Sequence, residues 1–202
     1  MKYRRLFTPG IVLAALPAVI LAVWLGFSCA LLLQSHRAVL GAKYIAEDVS
    51  GIIMRFTVYG TSDSTISARF WFYDRDGKEA GIIERSWNGW ELFLEFIVAE
   101  FGDVHIVFPY KIYTNEISHR YGTDCLPRYD REDMPGIYDS SALDEQQRDA
   151  FRVLFRHVKT VLEFNLSPPQ IKMNTIHLRN PQVGRIYAVY VDASGTVTVI
   201  LE

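Results

Sequence analysis

The sequence lacks the short motifs that mark the commonest active sites. No CxxC or HExxH motif offers a thiolate or histidine pair to zinc. GxGxxG, P-loop and GxSxG motifs are missing as well, which excludes the usual glycine-rich phosphate cradles and the nucleophile turn of α/β-hydrolases. The sequence therefore predicts no catalytic residue, no metal site and no cofactor.

Cysteine is scarce, with two residues in a chain of 202. Cys29 lies inside an uncharged run of 28 residues, 6–33, and Cys125 is the only cysteine in the rest of the chain. No intramolecular disulfide is therefore expected, and side-chain packing alone must stabilise the body.

Acidic residues are absent from the first 37 positions, although four basic residues lie there. Residues 38–202 carry 17 basic and 23 acidic side chains, which gives them a net charge of −6. Because nucleic acids are polyanions, a body of this charge is not expected to bind them. Half of all residues are hydrophobic and 22 % are charged, which is typical of a folded domain with its own core.

The uncharged run is long enough to cross a membrane. Its 28 residues exceed the roughly 20 that a bilayer requires and the apolar core of about 7 to 15 residues in a cleavable signal peptide. Lys2, Arg4 and Arg5 precede it, whereas Glu47 and Asp48 soon follow, so the positive-inside rule predicts a cytoplasmic N-terminus. We expect a single-pass signal-anchor envelope protein with four parts: a cytoplasmic N-terminus (1–5), a transmembrane anchor (6–33), a juxtamembrane helix or linker (34–50) and one globular extracytoplasmic domain (51–202).

Cys29 offers an alternative mode of membrane attachment. Leu25, Ser28 and Cys29 resemble a loose bacterial lipobox, so lipidation at Cys29 stays open. A processed chain would begin Cys-Ala-Leu-Leu-Leu rather than with a polar tether, which favours an uncleaved span that contains an ordinary cysteine. Either attachment tethers the body to a membrane.

Alternating hydrophobicity predicts five strands in the first half of the body. Asn88-Gly89, between Trp87 and Trp90, is typical of a type I′ hairpin turn, which would pair the third strand with the fourth and place Trp87 opposite Trp90. Residues 90–101 could instead form a helix, but their alternation favours a strand. The five predicted strands are about 52–59, 65–73, 79–87, 90–101 and 104–112.

The fourth and fifth predicted strands conflict in register. A strict two-residue turn at 102–103 would place Val104, Ile106 and Phe108 on the face that carries Glu95. We therefore expect a bulge or an odd-length loop at 102–103. Pro109 likewise fits a bulge or an edge strand better than the middle of a sheet.

The second half of the body predicts one long amphipathic helix. It would begin with Ser141 as N-cap and Asp144 at N3, and its apolar residues from Phe151 to Leu162 recur at spacings of three and four. A short strand within 171–178 and a C-terminal hairpin (185–191 and 196–201) would follow. The predicted fold class is α+β: an N-terminal transmembrane helix, then an antiparallel β-meander with one long amphipathic helix and a C-terminal β-hairpin.

The connection 114–140 shows no periodicity and is rich in charged and aromatic residues. At 27 residues it is longer than ordinary connections, and such loops are usually functional or disordered. Its candidate binding residues are His119, Tyr121, Asp124 and Tyr129.

Two other chemistries are conceivable in this connection. Four of its acidic residues, Asp124, Asp130, Glu132 and Asp133, could supply oxygen ligands to calcium, but their spacing fits no EF-hand, and Arg128 and Arg131 among them favour ion pairs. His119, Asp124 and Cys125 could form the polar centre of a hydrolase-like enzyme. An isolated thiol in an irregular segment is the commoner case.

A basic stripe marks the predicted helix. Arg148, Arg152 and Arg156 recur every four residues and could dock an acidic partner or anionic headgroups. The alternative is a solvated helix face, partly paired through Asp144 to Arg148 and Asp149 to Arg152.

The sequence thus favours binding over catalysis. We expect a membrane-anchored extracytoplasmic binding or scaffold protein with a protein partner in the envelope. The alternatives are an envelope enzyme centred in the connection 114–140 and a protein lipidated at Cys29.

Overall fold

Helix α1 (Pro9–Ala42) forms the N-terminal part of the chain. The computed structural model describes residues 9–45, 49–62 and 64–202, so the predicted cytoplasmic residues 1–5 lie outside the described part. Over Leu16–Ala42 the helix is long and apolar enough to span a membrane, a property that it shares with signal sequences. The chain divides into two units, Met1–Arg37 and Ala38–Glu202.

The second unit is α+β with antiparallel sheets, which confirms the predicted class at this level. Its elements are, in order, β1 (Gly51–Ser62), β2 (Thr65–Tyr73), β3 (Glu79–Asn88), β4 (Leu92–Phe101), β5 (Val104–Thr114), β6 (Thr123–Asp124), α2 (Leu126–Tyr129), β7 (Asp130–Arg131), β8 (Met134–Pro135), α3 (Glu145–Glu163), β9 (Ile171–Leu178), β10 (Ile186–Val191) and β11 (Val197–Leu201). The first sheet has the order β11-β10-β1-β2-β3, and the second has the order β6-β5-β4-β9. The strands β7 and β8 form a separate hairpin.

The predicted five-strand meander is wrong because β3 and β4 lie in different sheets. Trp87 pairs with Ile66 of β2 rather than with Trp90, and the Gly89 amide donates to the Ser64 carbonyl at 2.8 Å. Gly89 does adopt a positive φ of 115°, but its turn carries the chain from one sheet to the other. The Asn-Gly signal therefore marks the positive φ of Gly89 correctly, but Asn88 has no positive φ, so neither the predicted type I′ turn nor the predicted strand pairing forms.

The β4–β5 hairpin places the predicted irregularity elsewhere. The turn is a regular two-residue turn, in which Phe101 pairs with Val104 and Gly102 has a φ of 67°. The register shifts farther along, because Phe96 pairs with Pro109 and Glu95 pairs with Lys111. The bulge therefore lies beside Pro109, as the proline indicates, and not at 102–103.

Helix α3 packs its apolar face on the second sheet. The Phe155 ring lies 5.2 Å from that of Phe108, and the His157 ring lies 6.0 Å from that of Phe101. The N-cap is Asp144, which forms a capping box with Gln147, so the prediction of Ser141 as N-cap is wrong by one turn. The Asp144 carboxylate accepts a hydrogen bond from the Gln147 backbone amide at 2.7 Å, so Asp144 rather than Ser141 satisfies this donor of the first helical turn.

The connection 114–140 is ordered and forms part of the core. It contains β6, α2, the β7–β8 hairpin and two short 3-10 turns. The side chains of Tyr129, Met134, Ile137 and Tyr138 are buried in the same core as the sheets. The connection is therefore not the irregular loop that its sequence indicates. Its elements are two to four residues long, and elements this short leave no periodicity in a sequence.

Candidate ligand-binding cleft

One face of the second sheet changes from apolar to polar residues where α3 ends. The pair Ile97–Phe108 is fully buried beneath the helix. The next pair on the same face is Glu95–Lys111, which is polar. The sheet thus has an apolar half beneath α3 and a polar half beyond the helix, and the bulge lies at the boundary between them.

The bulge leaves Tyr110 as the extra residue of β5, between Pro109 and Lys111. Bulges bend a strand and redirect side chains, and they are frequent beside active sites. Tyr110 lines a cleft of about 350 Å³, which is the lower end of the range for small-molecule sites. The remaining lining residues of this bulge cleft are Asp124, Leu126, Pro127, Asp130, Lys159, Leu162 and Glu163.

The backbone around the bulge is fixed by two hydrogen bonds from the connection 114–140. The Tyr129 hydroxyl donates to the Pro109 carbonyl at 2.7 Å, and the Cys125 amide donates to the Tyr110 carbonyl at 2.8 Å. Tyr129 is fully buried between Phe72 and Phe155. These contacts hold α2, which supplies one wall of the cleft, against the strand that supplies its floor.

The β7–β8 hairpin ties this segment to α3. Its two-residue turn, Glu132 and Asp133, has φ angles of 54° and 68°, the pattern of a type I′ turn without glycine. Such angles cost non-glycine residues about 1 to 2 kcal/mol each. Asp133 bonds to Arg156 at 2.8 Å and to Lys159, and Lys159 also bonds to Asp130 at 2.6 Å. The Lys159 hydrogen bond is the main cause that lowers the pKa of Asp133.

A polar face adjoins the bulge cleft on the polar half of the sheet. His119 Nε2 lies 2.5 Å from Glu95 Oε2, and the Glu95 side chain is only 9 % exposed. Lys111 Nζ lies 3.5 Å from Asp124 Oδ1 and 5.3 Å from the centre of the Tyr110 ring. Lys111 and Asp124 therefore connect the polar face with the cleft.

Aromatic rings extend the polar face across the sheet. The Phe93 ring stacks on Tyr113 at 5.2 Å and on His177 at 4.3 Å, and the Tyr113 ring meets His119 edge-on at 5.6 Å. Burial is the main cause that raises the pKa of Tyr110 and of Tyr113 above the ordinary tyrosine value. Both phenols are therefore neutral near pH 7 and can donate or accept a hydrogen bond.

The predicted binding residues of the connection have different surroundings. Asp124 lines the bulge cleft, and His119 lies on the adjoining polar face. Tyr121 is 74 % exposed, with the Arg120 guanidinium 6.0 Å from its ring centre. Tyr129 lies in the core, where its hydroxyl is already hydrogen-bonded to the Pro109 carbonyl. It therefore holds the backbone of the bulge and does not line the cleft.

The arginine stripe is engaged with carboxylates of the chain itself. Arg148 bonds to Asp139 at 2.6 Å, so its partner is not the expected Asp144, which caps the helix. Arg152 bonds to Asp149 at 2.7 Å as expected, and also to Glu145. Arg156 bonds to Asp133 across to the β7–β8 hairpin. Each guanidinium would have to give up an existing partner to bind an acidic ligand.

The two other chemistries considered for the connection find little support in the geometry. Cys125 is buried, and this burial raises the pKa of its thiol, so the thiolate form that a nucleophile needs is disfavoured. Asp130 and Asp133 bond to basic side chains of α3. Within the described residues, no three His, Cys, Asp or Glu side chains are grouped to hold a metal ion.

Sequence reasoning missed several residues of the cleft. Tyr110 could have been found, because a proline inside an alternating strand indicates a bulge, and a bulge redirects a side chain close to it. Leu162 and Glu163 carry no local signal, since they join the cleft only through the packing of α3. Comparisons with protein-family models, with curated proteins and with solved structures gave no match.

Proposed function

We propose that the protein is a membrane-anchored binding protein whose ligand site is the bulge cleft. The observation that supports this proposal is the redirected Tyr110 at the floor of a cavity of about 350 Å³. The cavity combines apolar walls with a few polar groups, which is the usual composition of small-molecule sites. Leu126 and Pro127 form one wall, and the end of α3 forms the other.

We further propose that the N-terminus is cytoplasmic and that the body is extracytoplasmic. The apolar length of α1 supports a span, and Lys2, Arg4 and Arg5 support the orientation. Lipid attachment at Cys29 stays the alternative anchor. The intact mass of the purified protein separates the two, because lipoprotein processing removes the first 28 residues and adds acyl chains.

Filling the cleft tests the proposed function. Leu162→Trp places a larger side chain at its wall, and Gln146→Trp, on an exposed turn of the same helix, is the matched control. The full-length protein in zwitterionic nanodiscs would be titrated with benzylammonium, benzyl alcohol and benzoate. Saturable binding of at least one probe that Leu162→Trp abolishes and Gln146→Trp preserves supports the proposal. Binding that survives Leu162→Trp contradicts it, as does the absence of binding by all three.

The same proposal extends to a protein partner in the envelope as the ligand of the bulge cleft. A cavity of about 350 Å³ has room for a single large side chain of such a partner. Co-purification from mild detergent, compared between the wild type and Leu162→Trp, tests this extension. A stoichiometric partner that is lost only from the variant supports it.

A second candidate is acid–base catalysis on the polar face. His119 Nε2 is held 2.5 Å from the nearly buried Glu95 carboxylate, which is the kind of hydrogen bond that orients a catalytic histidine. In the enzymatic alternative, the candidate catalytic residue is therefore His119 rather than Cys125. Hydrolysis of p-nitrophenyl acetate that depends on pH and is lost in His119→Gln would support it. Equal hydrolysis by the wild type and the variant would exclude it for esters.

A further inference from the structure

We propose that the ligand of the bulge cleft is an organic cation: an ammonium group that lies between Asp124 and Glu163, attached to a compact apolar body. This inference rests on the proposed function, because it names the chemistry of the ligand for the same cleft. It follows from the charges that remain after the ion pairs of the chain are assigned, from the direction of α3 and from the apolar walls.

The basic groups at the cleft are already paired with carboxylates. Lys159 bonds to both Asp130 and Asp133, and Arg156 bonds to Asp133 as well. These two cations and two anions form a neutral network. An anionic ligand would have to displace Asp130 or Asp133 from Lys159, which disfavours anion binding.

The acidic groups are not balanced in the same way. Among the described residues, no basic side chain forms an ion pair with the Glu163 carboxylate, although Glu163 lines the cleft. Asp124 has one partner, Lys111, at a long distance of 3.5 Å, and its side chain is 57 % exposed. The cleft therefore has an unpaired carboxylate on α3 and a loosely paired one on β6.

The end of α3 strengthens this negative potential. The helix ends at Glu163 with Phe164 as its C-cap, and the following residue, Asn165, adopts the left-handed conformation, with a φ of 50°, that is common just after a C-cap. The last turn contains no basic residue. The C-terminal end of a helix carries a partial negative charge, which favours a cation nearby.

The rest of the cleft suits an apolar body. Leu126, Pro127 and Leu162 contribute aliphatic surface, and Tyr110 contributes an aromatic ring. Aromatic rings attract cations to their faces, and the Tyr110 ring already has the Lys111 ammonium 5.3 Å from its centre. A small aromatic or aliphatic amine satisfies both features, whereas a bare metal ion would leave the apolar walls unused.

Three probes of equal size and different charge test the inference. Benzylammonium, benzyl alcohol and benzoate would be titrated into the full-length protein in zwitterionic nanodiscs, with empty nanodiscs as the blank. We expect benzylammonium to bind at least about tenfold more tightly than benzyl alcohol, and benzoate to bind most weakly, since two partly exposed carboxylates contribute.

Two charge-removing variants locate the effect. Glu163→Gln is expected to weaken benzylammonium binding by about fivefold and to leave benzyl alcohol binding unchanged. Asp103→Asn, in the exposed β4–β5 turn, removes the same charge and should change neither. An equal effect of Asp103→Asn would contradict a local role for Glu163.

The outcomes separate this inference from the proposed function. If benzyl alcohol or benzoate binds as tightly as benzylammonium and Leu162→Trp abolishes that binding, the cleft is a ligand site and the cation inference is wrong. If Leu162→Trp leaves the binding of benzylammonium intact, the cleft is not the site and both are wrong.

Discussion

The Tyr129 hydroxyl donates a hydrogen bond to the Pro109 carbonyl, 2.7 Å away, and joins the connection 114–140 to the bulge of β5. Pro109 lies next to Tyr110, the residue that the bulge redirects into the cleft. A buried core residue thereby holds in place the backbone that positions a cleft residue. Under the proposed function, this contact couples the stability of the body to ligand binding.

Removal of this hydroxyl should destabilise the body. Tyr129→Phe keeps the ring between Phe72 and Phe155 and leaves the buried Pro109 carbonyl without its donor, which costs about 1 to 2 kcal/mol. Tyr121→Phe, at an exposed ring, should change the free energy of unfolding by less than about 0.5 kcal/mol. Thermal denaturation of both variants checks this, and equal melting temperatures would show that the Tyr129 hydrogen bond contributes nothing.

A methyl group at position 81 should displace the wall of the cleft. A Cβ there would overlap the carbonyl oxygen of Arg128 in α2, which is backbone and cannot rotate away. We expect Gly81→Ala to destabilise the body by about 1 to 3 kcal/mol and to weaken ligand binding, because α2 also carries Leu126 and Pro127. At Gly60 an added Cβ would lie 3.6 Å from its nearest neighbour, so Gly60→Ala is the matched control. Unchanged stability of Gly81→Ala would contradict the close approach of β3 and α2.

The ion pairs of Asp133 predict a loss of stability in acid. Because its pKa is lowered in the folded state, chiefly by the hydrogen bond from Lys159, the stabilisation is fully present above the unfolded value of about 3.9. It is lost as the pH falls through the lower, folded pKa. Asp133→Asn keeps a residue that tolerates a positive φ and removes the charge.

The difference in unfolding free energy between wild type and Asp133→Asn should therefore be present at pH 7 and disappear in strong acid. We expect less than about 1 kcal/mol at neutral pH, since the pairs are partly exposed. Urea denaturation at a series of pH values measures this difference. A difference that is independent of pH would assign the effect to the turn conformation rather than to the ion pairs.

The proposed orientation predicts labelling from outside the cell. Cys125 is buried and is unsuitable as a reporter, so the test uses Ser118→Cys at an exposed position, with Cys29 replaced by alanine. A membrane-impermeant maleimide should label this variant in intact cells or spheroplasts. Labelling that requires lysis would reverse the orientation.

The elements with a regular local period could be predicted from the sequence. Helix α3, the strand at 171–178 and the β10–β11 hairpin follow from periodicities that their own residues carry. The strand β4 was likewise separable from a helix by its alternation. Periodicity reports which side of an element is buried and does not depend on the distant parts of the chain.

The assignment of strands to sheets could not be predicted, because it depends on distant contacts. The Trp87 indole donates to Thr123 Oγ1 at 2.9 Å, a partner 36 residues away in another sheet. Conversely, the turn at Glu132 and Asp133 contains no glycine or asparagine, and its conformation is accompanied by ion pairs to Arg156 and Lys159 of α3. The cleft is formed by such contacts, so only Asp124 among its lining residues was a predicted site residue.

Hydrogen–deuterium exchange of the full-length protein with benzylammonium tests most directly whether the bulge cleft is the ligand site. Binding there should slow amide exchange in residues 124–130 and 159–166, which supply the two walls, and the effect should be absent in Leu162→Trp. Benzylammonium that binds without slowing exchange in either segment, or that slows it only elsewhere, would contradict the assignment of the cleft.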